Sequence, residues 1–541
     1  MRHFEAPGGP ALLLICLAGC AVSAIHLSTL PRIMVDDAFI SYRYAQNLFE
    51  GRGLVFNAGE HVEGYSNFLW VLLTSLGMLL GAEPIAWTRS LGAASLLGTV
   101  VAGAYLTHRL TGSRFAAASS ALVIACSTAL CASSMSGLET GLFAFLLTAA
   151  FLAFSGQRYA AASLLCGVAA ITRPEGFAVW AVMLASVVLS RIPGRLRIVR
   201  RLAIPCVSIL LGLIVFRLAY FGAVLPNSVQ AKSAMLPLLK DAVWPDHFRI
   251  LLNTAGLSYA WDFLRYAFGP LALLAIFPLI ATSTRTSAVD ARQSVLLRSM
   301  LATVCLGLGI AVYNFGDWMS SFRLLTPYLP ALTALVICGL CRLIDMPAAR
   351  RPVLRAPARI FAACLVGWCA VRQFQTSTPP AAGSPDLELA QILNQSRQPQ
   401  LLAATDVLGR LGFYAPDTRI IDMAGLTDPY IARHGKPRPP FGRNDFKYVL
   451  SRRPHFIMNN VRSAWLRHLS KPDFVENYHW VDRPAWTWPA AARNKPRYVF
   501  VLRNSVLEQE LRVRYHDAAF RSPLSLSESV PDDQALAIHT E

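Results

Sequence analysis

Two consecutive aspartates, Asp36 and Asp37, open the segment MVDDAFISYRYAQNLFEGRGLVFNAGEHVEGYSNFLW and are the side chains best placed for chemistry. They precede a helical pattern with Ile40, Tyr44 and Leu48 on one face, ending at Gly51. At about 3.6 residues per turn, Asp36 and Arg43 share a face, and Asp37, Ser41 and Tyr44 share a neighbouring one. A carboxylate at a helix N-terminus is kept ionised by the helix dipole, as a general base requires. The same position suits a plain helix cap, so both roles stand as expectations.

The other charged residues repeat the theme. Glu50, Glu60 and Glu63 lie in the same loop, and Glu139, Glu175 and Asp317 sit at the ends of apolar runs. Ionisable groups near a bilayer are costly, so their clustering predicts a polar cavity. Thr172-Arg173-Pro174-Glu175-Gly176 supports either part of that cavity or a local ion pair between two helices. In Leu225-Pro226-Asn227-Ser228-Val229-Gln230-Ala231-Lys232, Lys232 could meet an anionic ligand or reach to a lipid headgroup. Gly316 to Arg323 offers Asp317, Trp318 and Arg323. Arg suits bidentate phosphate binding and Trp can stack on a sugar, while an aromatic interfacial anchor is the plainer reading.

What must position these residues is a set of apolar helices. Of 541 residues, 54% are hydrophobic and 15% charged, with a mean hydropathy of +0.42. A soluble chain carries about 25% charged residues. Apolar runs predict eleven spans near 11–30, 87–107, 115–132, 138–155, 159–171, 176–190, 202–221, 263–282, 296–314, 324–341 and 357–371. With the N-terminus in the cytoplasm, the cytoplasmic loops hold 16 Lys and Arg and the longer outer loops hold 8. This positive-inside bias sets the orientation and accounts for much of the +18 net charge without nucleic acid. Residues 68–82 are expected to form an interfacial or re-entrant helix on the outer side. All eleven cysteines fall in the apolar runs and read as small hydrophobes. Leu17-Ala18-Gly19-Cys20 imitates a lipoprotein box, but the apolar run continues to Leu30, as a first transmembrane helix would.

Past residue 373 the chain turns polar. Strands are expected at Leu401–Asp406, Arg419–Asp422, 455–459 and 498–503, with a short helix around Gly409 and Gly412, giving a small α/β module. Asp406, Asp422 and Asp428 fall at strand ends or turns, where turn formation is the commoner role. The expected organisation is a membrane domain over 1–373 with a first outer loop at 31–86, an extracytoplasmic α/β domain over 374–515 and a flexible tail over 516–541.

The Asp-Asp loop with EGYSNFLW, then TRPEG, LPNSVQAK, GDWMSSFR and the distal DMAGLTDP, in that order, resembles the GT-C superfamily of membrane glycosyltransferases. It is most similar there to the terminal arabinofuranosyltransferases of actinobacterial cell walls and their bacterial relatives. The resemblance covers about residues 32 to 435. It implies a mainly α, GT-C-type helical domain in the bacterial inner membrane. It also implies a polyprenyl-phosphate sugar donor and a cell-envelope glycan, lipid or protein as acceptor. Carried over, Asp36 or Asp37 becomes the base, with Asp37 favoured. Arg173, Lys232 and Arg323 become donor-phosphate candidates. Glu63, Tyr65 and Asn67 become candidates for sugar or acceptor hydroxyls, with Arg43, Glu139, Glu175, Asn227, Asp317 and Trp318 completing the expected binding set. Some relatives use a divalent metal and others none, and an Asp-Asp pair supports either. A transporter or flippase of a lipid-linked sugar and a non-catalytic envelope assembly protein are the competing readings. The first calls for midplane polar residues and repeats, and the second for dispensable Asp36 and Asp37.

Overall fold

The computed structural model describes residues 9–31, 34–233, 254–282, 288–317, 319, 321–344, 352–374, 385–438, 442–460, 471–481, 497–523 and 525. Each apolar run forms a helix, but the helices differ in length. Five are long and apolar enough to cross a membrane: Pro10–Thr29, Pro84–Thr111, Arg195–Phe221, Ala291–Tyr313 and Thr326–Ile344. Two more runs are broken helix pairs. Arg114–Ala125 and Thr128–Met135 meet at 54°, and Thr254–Ala267 and Gly269–Leu279 at 90°.

Against the eleven expected spans, five helices, or seven with the bent pairs counted, are long and apolar enough to cross a membrane among the described residues. The other four runs fall in Thr140–Ser155, Tyr159–Thr172, Glu175–Val188 and Ile360–Gln373. The first three are roughly 21–24 Å long, short of a hydrocarbon core of about 30 Å, while the fourth run is part of the 22-residue Pro352–Gln373 helix. The Phe68–Leu79 helix is shorter still, at 12 residues.

The first loop folds into the Asp36–Phe49 helix, with Val35 as its N-cap and Gly51 in the left-handed conformation that ends it. The C-terminal region builds a six-stranded mixed sheet in the order β2-β1-β5-β7-β6-β8. Its strands are β1 (Leu402–Thr405), β2 (Arg419–Asp422), β5 (Phe456–Asn460), β6 (Tyr478–Val481), β7 (Arg497–Leu502) and β8 (Phe520–Arg521). β1 runs parallel to β2 and β5, and the remaining pairs are antiparallel. β3 (Lys436–Arg438) and β4 (Gly442–Asn444) form a separate hairpin. β8 carries the sheet to Arg521, beyond the expected boundary at 515.

Alternation along these strands divides the sheet into two apolar faces. Ala404, Ile421, Ile457 and Phe500 pack on one side with Phe446 and Phe474. Ala403, Ile420, Phe456, Val499 and Val501 pack on the other. That second core also contains Ile40, Tyr44, Phe56 and Tyr65. Part of the first loop thus shares a hydrophobic core with the C-terminal sheet, while its Phe39 and Tyr42 pack with Leu138 and Met319.

Candidate active site

A cavity of about 520 Å³ lies where the first loop, the ends of the apolar helices and the C-terminal region meet. That size suits a small-molecule ligand. Its walls carry the carboxylates of Asp36, Asp37, Glu139, Glu175, Asp317 and Asp406 and the cations of Arg173, Lys232, Arg323, Arg438 and Arg443.

Asp36 and Asp37 divide the two expected roles. Asp36 does cap a helix, though not its own. Its Oδ2 accepts from Gly409 N–H at 3.0 Å and its Oδ1 from Arg410 N–H at 2.9 Å. These are the first amides of the Leu408–Tyr414 helix, whose own N-cap, Val407, supplies no side-chain acceptor. Asp37 instead faces Arg323, whose Nη1 is 3.6 Å from its Oδ2. Arg323 also binds Asp317 through Nε at 3.1 Å. Arg323 is thereby shared between two carboxylates, and the Asp37 side chain keeps 21% of its surface open.

A second charged group stands beside the first. Arg173 donates from Nη2 to Glu175 at 2.9 Å, and its Nη1 lies 3.8 Å from Glu139 without a hydrogen bond. Glu139 also accepts from Asn67 Nδ2 at 2.8 Å, and Asn67 is held in turn by Ser41. Tyr65 lines the cavity with its hydroxyl buried and lacking a hydrogen-bond partner. Lys232 lines it from the Asn227–Lys232 helix. Trp318 lies outside the described residues.

Three expected site residues are not on the cavity wall and hold other parts of the chain. Arg43 is buried away from the cavity and donates to five backbone carbonyls, of Phe56, Gly412, Ala415, Pro416 and Thr418, at 2.5–3.3 Å. Glu63 is buried against Arg217, with Nε to Oε2 at 2.8 Å. Burial pushes its carboxyl up, and the guanidinium partly offsets that. Asn227 ties the outer loop to the C-terminal region by donating to the carbonyls of Gly425 and Leu426, each at 2.9 Å. The shared physical reason is that a polar side chain at a membrane boundary is kept as readily for a buried backbone or ion partner as for a ligand.

The residues that sequence reasoning missed come from the C-terminal region. Val407, Leu408, Ala424 and Leu426 form part of the cavity wall, together with Arg438 and Arg443 from the hairpin. Arg438 lies 3.9 Å from Asp406. Asp422, by contrast, holds the 423–427 turn through the amides of Ala424 and Thr427, and burial pushes its carboxyl up to about 6. Asp428 caps the Pro429–His434 helix.

This arrangement has counterparts among solved structures. The oligosaccharyltransferase AglB of Archaeoglobus fulgidus, solved with an inhibitory peptide and a dolichol-phosphate, superposes with a TM-score of 0.56 at 11% identity, covering 91% of this chain and 75% of its own. ArnT from Cupriavidus metallidurans, bound to undecaprenyl phosphate, gives 0.50 at 15% identity over 90% and 97%. The chain has the GT-C fold.

In sequence, this GT-C chain is similar to a terminal beta-(1->2)-arabinofuranosyltransferase of Corynebacterium glutamicum, at 27% identity over 332 residues. That match covers 54% of the chain and 46% of the relative, so the chain spans less than half of that protein. A family model described as a domain of unknown function (DUF8728) matches residues 371–519, the part that carries the sheet. No group of three or more His, Cys, Asp or Glu side chains is placed to hold a metal ion among the described residues. Asp37, Glu175 and Asp317 face arginines, Asp36 holds backbone amides and Glu139 accepts from Asn67.

Proposed function

We propose that this chain is a membrane glycosyltransferase. It moves a sugar, with arabinofuranose as the first candidate, from a polyprenyl-phosphate donor to a hydroxyl of a cell-envelope glycan, lipid or protein. The observation that carries the reading is Asp37, a partly open carboxylate on the cavity wall that faces an arginine already shared with Asp317. The activity named for the corynebacterial relative supports the sugar, and the lipid phosphates bound to AglB and ArnT support the class of donor.

Asp37 takes the acceptor hydroxyl proton as that oxygen bonds to the anomeric carbon of the donor. The bond from that carbon to the phosphate oxygen breaks, and its electron pair leaves with the polyprenyl phosphate. Arg323, 3.6 Å away, aims Asp37, while the wall cations stabilise the departing phosphate. Because the leaving group is already a stable anion, positioning and charge stabilisation supply much of the rate.

The proposed topology places the N-terminus in the cytoplasm of a bacterial inner membrane, with the cavity and the C-terminal region outside it. An alkaline-phosphatase reporter fused after residue 375 is expected to be active, and an inactive one refutes this orientation. The activity itself is tested with purified protein, a radiolabelled polyprenyl-phosphate pentose and envelope acceptors. Transfer by wild type that is lost in Asp37→Asn supports the reading, and no transfer from any of several donors removes it.

A further inference from the structure

The cations of the cavity wall differ in the carboxylates they meet. Arg173 and Arg323 each lie beside two, Glu139 with Glu175 and Asp37 with Asp317, although Arg173 Nη1 makes no hydrogen bond. A further anion at either would compete with charges already in place. Elsewhere on the wall the pattern is different. No carboxylate lies within ion-pairing distance of Lys232 among the described residues. Ser228 Oγ, one helical turn before Lys232, is buried without a hydrogen-bond partner, and so is Arg443 Nε. Arg443 reaches this part of the wall from β4, where its Nη2 donates to the carbonyl of Ser233 at 3.2 Å. Tyr65 joins the same part. The amide of Asn227 donates to the carbonyl of Glu63 at 2.9 Å, and the Tyr65 hydroxyl also lacks a partner.

Buried donors without acceptors cost roughly 1–3 kcal/mol each, so several on one wall are retained where a ligand supplies the acceptors. We propose that Ser228, Lys232 and Arg443 form the seat for the phosphate of a lipid-phosphate carrier. Arg443, from the C-terminal hairpin, is then a binding residue in its own right, while Arg173 and Arg323 serve to fix carboxylates. An ammonium, a hydroxyl and a guanidinium edge together match the several oxygens of one phosphate group. The assignment rests on the proposed reading of the cavity as a transfer site, yet phosphate binding can be measured without transfer.

The test uses the full chain in lipid nanodiscs with undecaprenyl phosphate, neutral undecaprenol and inorganic phosphate as separate probes. Lys232→Met and Arg443→Met are each expected to weaken undecaprenyl-phosphate binding at least tenfold, with undecaprenol binding unchanged and Asp37→Asn within twofold of wild type. Lys232→Gln and Arg443→Lys replace the Met variants if those lower the melting temperature. Normal undecaprenyl-phosphate binding by well-folded variants at both positions overturns the assignment. So does an equal loss of undecaprenol binding, or inorganic phosphate binding as tightly as the lipid. A wild type that binds the lipid phosphate at this seat but transfers no sugar refutes the proposed function and leaves the seat standing.

Discussion

Asp36 and Arg43, two turns apart on one helix, grip opposite ends of a single short helix more than 360 residues away. The carboxylate of Asp36 meets the first amides of Leu408–Tyr414, and the guanidinium of Arg43 meets the carbonyls of Gly412 and Ala415 at its far end. Each charge complements the helix dipole at the end it holds. Gly409 and Gly412 let the two helices approach, since a Cβ at Gly409 would collide with the Asp36 carbonyl oxygen and one at Gly412 would meet Phe56 and Arg43.

This division of labour separates the neighbouring aspartates by experiment. Asp37→Asn is expected to abolish transfer while leaving the melting temperature unchanged. Asp36→Ala is expected to lose about 1–2 kcal/mol of stability, as for a removed cap, and to retain transfer at reduced temperature. Thermal melts beside transfer assays check both, and the reverse pattern would exchange their roles.

Arg43→Ala removes a donor from five carbonyls. Burial also holds the Arg43 guanidinium down to about 10, a sign of how dry the site is. A loss of at least about 3 kcal/mol is expected, read as failure to accumulate folded protein. Gly409→Ala should reproduce a milder form of the same defect through collision alone.

Arg323 carries two carboxylates, so its removal leaves Asp317 buried and unpaired. Arg323→Met is expected to cost stability as well as transfer, because a buried charge stripped of its partner costs about 3–5 kcal/mol. Adding Asp317→Asn should restore the melting temperature but not the activity. A double variant that regains transfer would show that Arg323 matters only to folding.

Asp422 predicts a pH dependence. Its carboxyl is raised to about 6 in the folded chain against about 3.9 when unfolded. The folded state therefore holds the extra proton, and this group's contribution is full below about pH 4 and lost as pH rises through about 6. The size is of the order of 2–3 kcal/mol across that window. Denaturation of intact protein between pH 4 and 7 should show the decline, and Asp422→Asn should flatten it.

The first-loop helix was legible because its start, its apolar face and the Gly51 stop are all local signals. So were the strands, which stand out as short apolar runs in Arg419–Asp422 and 456–460. The bends at Cys126-Ser127 and Phe268-Gly269 were not, because apolar runs record hydrophobicity and not the direction of an axis. Arg43, Glu63 and Asn227 were rightly seen as unusual, yet their partners lie between 13 and 375 residues away and leave no local trace. Arg217, inside LLGLIVFRLAYF, was the one available signal that Glu63 had a partner. Arg443 stayed hidden because arginine is ordinary in a polar region.

The grip of Asp36 and Arg43 on Leu408–Tyr414 also sets a timetable for biosynthesis. The ribosome must add 369 residues after Arg43 before Gly412 exists. At about 5–20 residues per second that takes roughly 20 to 75 seconds. Throughout that interval Asp36 and Arg43 lack the helix whose amides and carbonyls they hold. A truncated product lacks that helix altogether.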